Sequence, residues 1–276
     1  MTQSGVLTLL SDFGLSDTYV GVMKGTIAQV NPALTVIDLT HQIPPQNIAA
    51  ARFALMTAHP YFPVGVVHVA IVDPGVGSDR RAIAVAIGSN SARPTSFLVG
   101  PDNGLFSGVF NQHPIAAAVE LTNPRYWRTP NPSSTFHGRD IFAPVGAHLA
   151  SGTPLAALGD SLEPDSLVRL AIPNYLQIEN LGDRISRITG CIQAIDHFGN
   201  LITNVPDTML SGKNWSVVLG NLTLIGRQVY SDTLPGEPLA LVGSHGWVEV
   251  AVNSGSAQTI LGLDWGSPIQ VVIVKG

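Results

Sequence analysis

Charge is scarce in this sequence. Only 12% of its 276 residues are Asp, Glu, Lys or Arg, about half the share usual in soluble proteins, so much of the surface is expected to be neutral or covered by another subunit. The 14 Lys and Arg residues against 19 Asp and Glu form no basic block, and without one the counterion-releasing contacts of a DNA or RNA surface have no source. No nucleic-acid partner is expected. Long hydrophobic runs are missing as well. The most apolar stretch, residues 64–72, is interrupted by Gly65 and His68 and falls far short of the roughly 20 residues of a membrane helix, so no membrane association is expected. The opening MTQSGVLTLLSDFG has neither the cationic start nor the apolar length of a signal peptide. Cys191 is the single cysteine, which excludes an intrachain disulfide and fits a cytoplasmic location. Among eight histidines there is no HExxH, no CxxC and no pair at i, i+4 spacing, and His137 with Asp140 is too small a set to argue for a catalytic metal.

What is present is apolar content, 45% of residues, over a length at which one large core tends to split into two. Residues 6–10 read as a strand, 19–30 as a helix, 35–39 as a strand, 48–58 as a helix and 66–72 as a strand buried on both faces. This alternation predicts an α/β fold of Rossmann-like form, a mostly parallel sheet with right-handed crossovers and helices on both faces. Strands at 82–87 and 97–99, a turn at 101–104 and a helix at 140–149 follow. From 171 to 184 the helical spacing fades among Pro173, Asn174 and Gly182, which marks a linker between a domain at 1–170 and a second at 185–276. The second carries short β-rich runs at 188–195, 215–219, 239–242, 247–252 and 269–274, expected to form a small antiparallel sheet or barrel.

Ligands of open α/β sheets bind beyond the carboxyl ends of the strands, and Asp12, His41 and Asp73 fall at such ends. In SDFG, residues 11–14, Asp12 can turn the chain or accept both hydroxyls of a ribose; a kinase magnesium loop is not expected, because the Gly-rich loop, lysine strand and catalytic loop that come before it in kinases have no room ahead of residue 12. VDPGVGSDRR, residues 72–81, lacks the third glycine and the lysine of the phosphate-binding loops, and the segment after it reads as strand. Its glycines instead bend the loop so that Asp73 and Arg80 face one another, as a structural ion pair or as part of a site. In STFHGRD, residues 134–140, His137 is either a helix-capping surface histidine or a titratable group in a pocket, and Gly138 leaves space for a water or small anion. DHFGN, residues 196–200, is by itself a turn signature.

Taken together and in order, SDFG, DPGVG-x-x-RR, PDNG, TFHGRD and DHFGN, with the tail GSHGWVEVAVNSGSA, resemble the S-adenosyl-L-methionine hydroxide adenosyltransferase family, relatives of the fluorinating and chlorinating enzymes. The resemblance implies an N-terminal α/β domain and a C-terminal β-barrel, assembled as a homotrimer with active sites between subunits. It implies attack of water or hydroxide on C5′ of S-adenosylmethionine, releasing adenosine and L-methionine without a cofactor. By that pattern Asp73, Arg80 and His137 activate the water, and Asp12 holds the ribose. Asp196 meets the ammonium, Asn200 the adenine edge, and Ser244, Glu249 and Val252 belong to the tail's binding segment, where His245 and Trp247 depart from many relatives. A halogenase is the nearest rival. Asp73 and Gly138 stand where the fluorinating relatives have tyrosine and serine, and the short 88–96 connection lacks their insertion, so hydrolysis is preferred. A non-catalytic adenosine or S-adenosylmethionine sensor is a second rival, opposed by the intact Asp73, Arg80 and His137 set, and a metal-dependent hydrolase is a third.

Overall fold

A computed structural model of the chain describes residues 4–170, 177–180, 185–210 and 214–274. The chain divides after Leu170 into two compact units. Of the expected linker, residues 171–176 and 181–184 lie outside the described residues.

The first unit contains β1 (Val6–Ser11), α1 (Tyr19–Val30), β2 (Thr35–Thr40), α2 (Ile48–Ala58), β3 (Val66–Ile71), β4 (Ala82–Ile87), β5 (Ser96–Pro101), α3 (Ser107–Gln112), β6 (Ile115–Glu120), α4 (Ala143–Ala150) and β7 (Asp160–Leu162). Its sheet runs in the order β2-β1-β3-β5-β4-β6-β7. The α/β reading holds: β2, β1, β3 and β5 pair in parallel, while β4, β6 and β7 extend the sheet with antiparallel pairings. Parallel strands need a crossover and α1 and α2 supply two of them; β4 returns beside β5 through a short connection, which suits an antiparallel neighbour.

Period-two alternation divides the strand residues between two cores. Leu7 and Leu9 of β1 and Val67, Val69 and Ile71 of β3 face Met23 and Ile27 of α1 and Val145 of α4. Leu10, Ala70 and Val72 face the other side, with Leu55 of α2 and Phe106 and Val109 near or in α3. Covering both faces of β3 explains why all six of its residues are buried. Ser11 of β1 registers with Ile71 of β3, so the loops that begin at Asp12 and Asp73 leave the sheet at neighbouring strand ends.

The second unit contains β8 (Gln177–Asn180), β9 (Ile185–Ile195), β10 (Leu201–Pro206), β11 (Asn214–Leu219), β12 (Leu222–Arg227), β13 (Pro238–Val242), β14 (Trp247–Val252), α5 (Ala257–Leu261) and β15 (Pro268–Val274). Strands β10-β14-β13-β12-β11-β15-β9 form a ring closed by β9 pairing with β10, and β8 pairs with the first half of β9. Closure removes the exposed sheet edges that invite aggregation. Alternate residues such as Val248 and Val250 of β14 and Ile269, Val271 and Ile273 of β15 fill the interior. One pair, β12 with β13, is parallel, and the chain between them makes the excursion 228–237. Among the described residues, no helix is long and apolar enough to cross a membrane.

Candidate active site

The DPGVG loop leaves β3 and returns at β4, and its tight course brings Arg80 back onto Asp73. Arg80 Nε donates to Asp73 Oδ1 at 2.9 Å and Oδ2 at 3.1 Å, and Nη2 donates to Oδ2 at 2.5 Å. The same Nη2 lies 2.7 Å from His137 Nδ1. The side chains of Asp73 and Arg80 are only 5% and 11% exposed, so this is a nearly dry ion pair with its fork bonds made, the geometry in which such a pair is strongest. Because a guanidinium can only donate, His137 Nδ1 must be the acceptor, and the neutral ring carries its proton on Nε2. Burial first, then the Arg80 charge, lowers the His137 pKa against the weaker pull of Asp73 and Asp140. The structure therefore brings Asp73, Arg80 and His137 together, with the imidazole neutral at neutral pH.

Two glycines let the loops come this close. Gly77 has φ of 79°, and a Cβ there would run into the Ser134 carbonyl, so the DPGVG loop packs directly on the segment leading to His137. A Cβ on Gly138 would lie 3.1 Å from Met23 Sδ, 3.2 Å from Phe136 Cε2 and 3.3 Å from Phe13 Cε2. That space is occupied by sulfur and ring carbon rather than held open for a water or anion as expected. It also joins the SDFG loop to the His137 segment, where Phe13, Tyr19 and Phe136 make three edge-to-face ring contacts.

Several residues inside the motifs support the cluster although the motifs alone assign them no role. Asn103, in the turn after β5, donates its amide Nδ2 to the Val72 carbonyl at 2.8 Å, fixing the residue before Asp73. Arg81, beside Arg80, turns the other way and grips Asp102 at 2.5 and 2.9 Å. Asp140 is fully buried and accepts from Arg128, Arg139 and the Ser133 N–H. Burial alone would raise its pKa, but these donors outweigh it and hold the carboxyl well below the usual range. Asp140 is thus committed to pinning the chain around His137. The expected helix after His137 begins with a π turn, Gly138–Phe142, that continues into α4; such turns recur at functional sites. Asp12, half-buried at the end of β1, accepts from the Gln46 N–H at 2.8 Å through Oδ2.

In the second unit, Asp196, Asn200, Ser244, Glu249 and Val252 line one cavity of about 650 Å³, together with Phe198, Tyr230, His245, Ser254 and Gly255. The DHFGN turn folds on its own aspartate: Asp196 Oδ1 accepts from the N–H groups of Phe198 and Asn200, both at 2.9 Å, and Oδ2 from Asn200 Nδ2 at 2.9 Å. Glu249 is buried and accepts from Tyr230 Oη at 2.8 Å and His245 Nε2 at 3.1 Å. Burial and then the Glu249 and Asp196 carboxylates push the Tyr230 phenol up to about 12, so it remains a donor. Phe198 is 73% exposed, a large ring left bare on the cavity wall. Phe198 was legible inside its motif; Tyr230, in the excursion between β12 and β13, had no signal in the sequence. A further cavity of about 500 Å³ in the first unit, lined by residues such as Ala86, Phe97, Val119 and Leu155, contains no titratable group.

Comparison with known proteins agrees with this division. Residues 7–159 match the SAM hydroxide adenosyltransferase N-terminal domain, and residues 190–270 match the C-terminal domain of the same description. The chain is 41% identical over 266 residues to an (R)-S-adenosyl-L-methionine hydrolase from Salinispora tropica, covering 96% of this chain and 97% of that one. It is 28% identical over 280 residues to a fluorinase from an Actinoplanes species, covering 90% and 91%. The solved structure of an uncharacterised conserved protein from Thermotoga maritima superposes with a TM-score of 0.85 at 34% identity, over 96% of this chain and 99% of that one.

Proposed function

The chain belongs to the SAM hydroxide adenosyltransferase family, and from that premise we propose that it is an enzyme hydrolysing S-adenosyl-L-methionine to adenosine and L-methionine, with water or hydroxide attacking C5′. The observation that carries this reading is the row Asp73, Arg80, His137, in which one guanidinium holds a carboxylate and an imidazole at once. As the water oxygen bonds to C5′, the C5′–S bond breaks, sulfur keeps the electron pair and departs as a neutral thioether, and the water gives up one proton. The sulfonium is already a good leaving group, so the protein's task is to place, desolvate and activate the nucleophile, and no cofactor is required.

Asp73 orients the water and takes its proton. An ordinary aspartate, titrating near about 4, is a weak base at neutral pH; the fixed charge of Arg80 beside it lowers the cost of a hydroxide-like species. His137 has its Nδ1 occupied by Arg80, which leaves Nε2–H to hold the nucleophile by donation rather than to relay its proton. Asp12 accepts the ribose hydroxyls. In the second unit, Phe198 offers a face to the adenine and Asn200 its amide edge, with one amide hydrogen already spent on Asp196. Asp196 takes the ammonium, and Ser244, Glu249 and Val252 complete the wall.

The same reading extends to a cytoplasmic homotrimer with sites between subunits. Support comes from the low charge content and from apolar side chains left exposed in both units, among them Leu15, Tyr61, Val64 and Leu234; light scattering of the purified protein that returned a monomer mass would remove the trimer. Incubation with S-adenosylmethionine in oxygen-18 water, with and without chloride and fluoride, tests the chemistry. Label in the adenosine 5′-hydroxyl, independent of halide, is expected; a halide-dependent 5′-halo-adenosine, or label elsewhere, overturns it.

A further inference from the structure

The loops at the carboxyl ends of β1 and β2 are joined by bonds that converge on His41. This histidine is 3% exposed and works at three points. Its carbonyl accepts from the Gly14 N–H at 2.8 Å. Its Nδ1 lies 2.7 Å from Ser11 Oγ, the hydroxyl beside Asp12, and its Nε2 lies 3.1 Å from Asp38 Oδ1. Ser11 Oγ already accepts from the Phe13 N–H at 3.3 Å, so the arrangement that satisfies every group has Ser11 donating to Nδ1 and Nε2–H donating to Asp38. The outer end is anchored by Lys24, 2.6 Å from Asp38 Oδ2, where the two side chains are 40% and 36% exposed. Asp12 then reaches across to the Gln46 N–H, and Gln46 sits at φ of 64°, a conformation that a non-glycine side chain adopts only when its surroundings hold it.

The Ser11, His41, Asp38 order resembles a hydrolytic triad, but Ser11 is fully buried and its oxygen has no path to a substrate. We infer that His41 is a positioning residue: it locks the loop of Asp12 to the loop of Gln46 and so fixes the direction of the Asp12 carboxylate toward the ribose. This rests on the proposed ribose role of Asp12. Ordering the carboxylate before substrate arrives removes an entropic cost from binding, so its loss is felt in KM and not in the attack at C5′.

The test is steady-state kinetics with S-adenosylmethionine on Asp12→Ala, His41→Ala, His41→Asn and the Asp12→Ala/His41→Ala double variant, with folding checked by circular dichroism. His41→Ala is expected to raise KM about tenfold, the worth of one or two hydrogen-bonded constraints, with kcat within about twofold. His41→Asn, whose Oδ1 falls near the position of Nδ1, recovers most of the loss. In the Asp12→Ala background, His41→Ala adds no further rise. An unchanged KM in His41→Ala, or full additivity in the double variant, overturns the inference. Asp12→Ala with wild-type KM would instead remove the ribose assignment beneath it. If His41→Ala does not fold, Ser11→Ala is read in its place: a raised KM with kcat preserved is expected, and an unchanged KM overturns the inference.

Discussion

The reacting cluster of the first unit and the cavity of the second are both built from loops at strand ends, yet they are held by opposite means. In the cluster, the Asp73–Arg80 pair spans 7 positions of one loop, and the bonds that tie this loop to other segments join residues far apart in the chain: Arg80 to His137 across 57 positions, and Asn103 to the Val72 carbonyl across 31. In the cavity most bonds are local, with Asp196 reaching 2 and 4 residues along its own turn and His245 meeting Glu249 4 residues away. Tyr230 to Glu249, across 19 positions, is the exception. The contrast matches the demands on each region. An in-line attack loses rate steeply with small displacements, so the cluster is fixed by several segments at once. Binding adds up from separable contacts, and local turns suffice to present them.

Four measurements sharpen or break this contrast. The largest effect is expected for Asp73→Asn, with kcat falling about 10³-fold while adenosine binding by calorimetry persists; retained turnover would mean that the cluster is structural. Arg80→Lys comes next. A lysine cannot give two parallel donors to Asp73 and a third bond to His137, and kcat is expected to fall about 100-fold with KM little altered. Acid should then separate the units. His68 and His59, at 0% and 8% exposure, have pKa values pushed down to about 3 and about 4, by burial first and then by neighbouring histidine charge. An unfolded chain binds protons near about 6.5 that the folded chain refuses, so stability present above that pH is lost as pH falls toward the folded values, by up to about 1.4 kcal/mol per pH unit per histidine. Thermal unfolding between pH 7 and 4.5 should show this slope, and His68→Asn should flatten it; a slope unaffected by that change would place the acid sensitivity elsewhere. Smallest is Phe198→Ala, a change confined to the cavity, expected to raise KM about tenfold through lost base stacking and to leave kcat alone.

The parts of the fold that could be read ahead were those whose residues are buried on both faces or show clean helical spacing. Strand β3 is one, since an unbroken apolar run has few other places to go. The direction of β4 was not legible, because AIAVAI is buried equally well in a parallel or an antiparallel place. Strand β6 is diluted by three alanines and α3 is only six residues long, while β10, LITNVP, carries Asn and Pro where strand formers are looked for. At the site, Asp73 and Arg80 share one loop and so announce each other. His137 was found through the resemblance, for nothing in spacing links it to residue 80. Asn103, Asp140 and Tyr230 act through bonds that only the folded chain creates.

The parallel pairing of β12 with β13, the single one in the barrel among the described residues, has a consequence for how this protein can change. An antiparallel neighbour can be reached by a two-residue turn, but a parallel one obliges the chain to travel back along a strand's length before it pairs. Residues 228–237 make that return trip between β12 and β13, and they carry Tyr230 into the cavity wall on the way. A detour of this kind can lengthen, shorten or exchange its aromatic residue without moving any strand out of register. A change in residues 228–237 is therefore one way to alter the cavity wall at Tyr230 while the barrel stays closed.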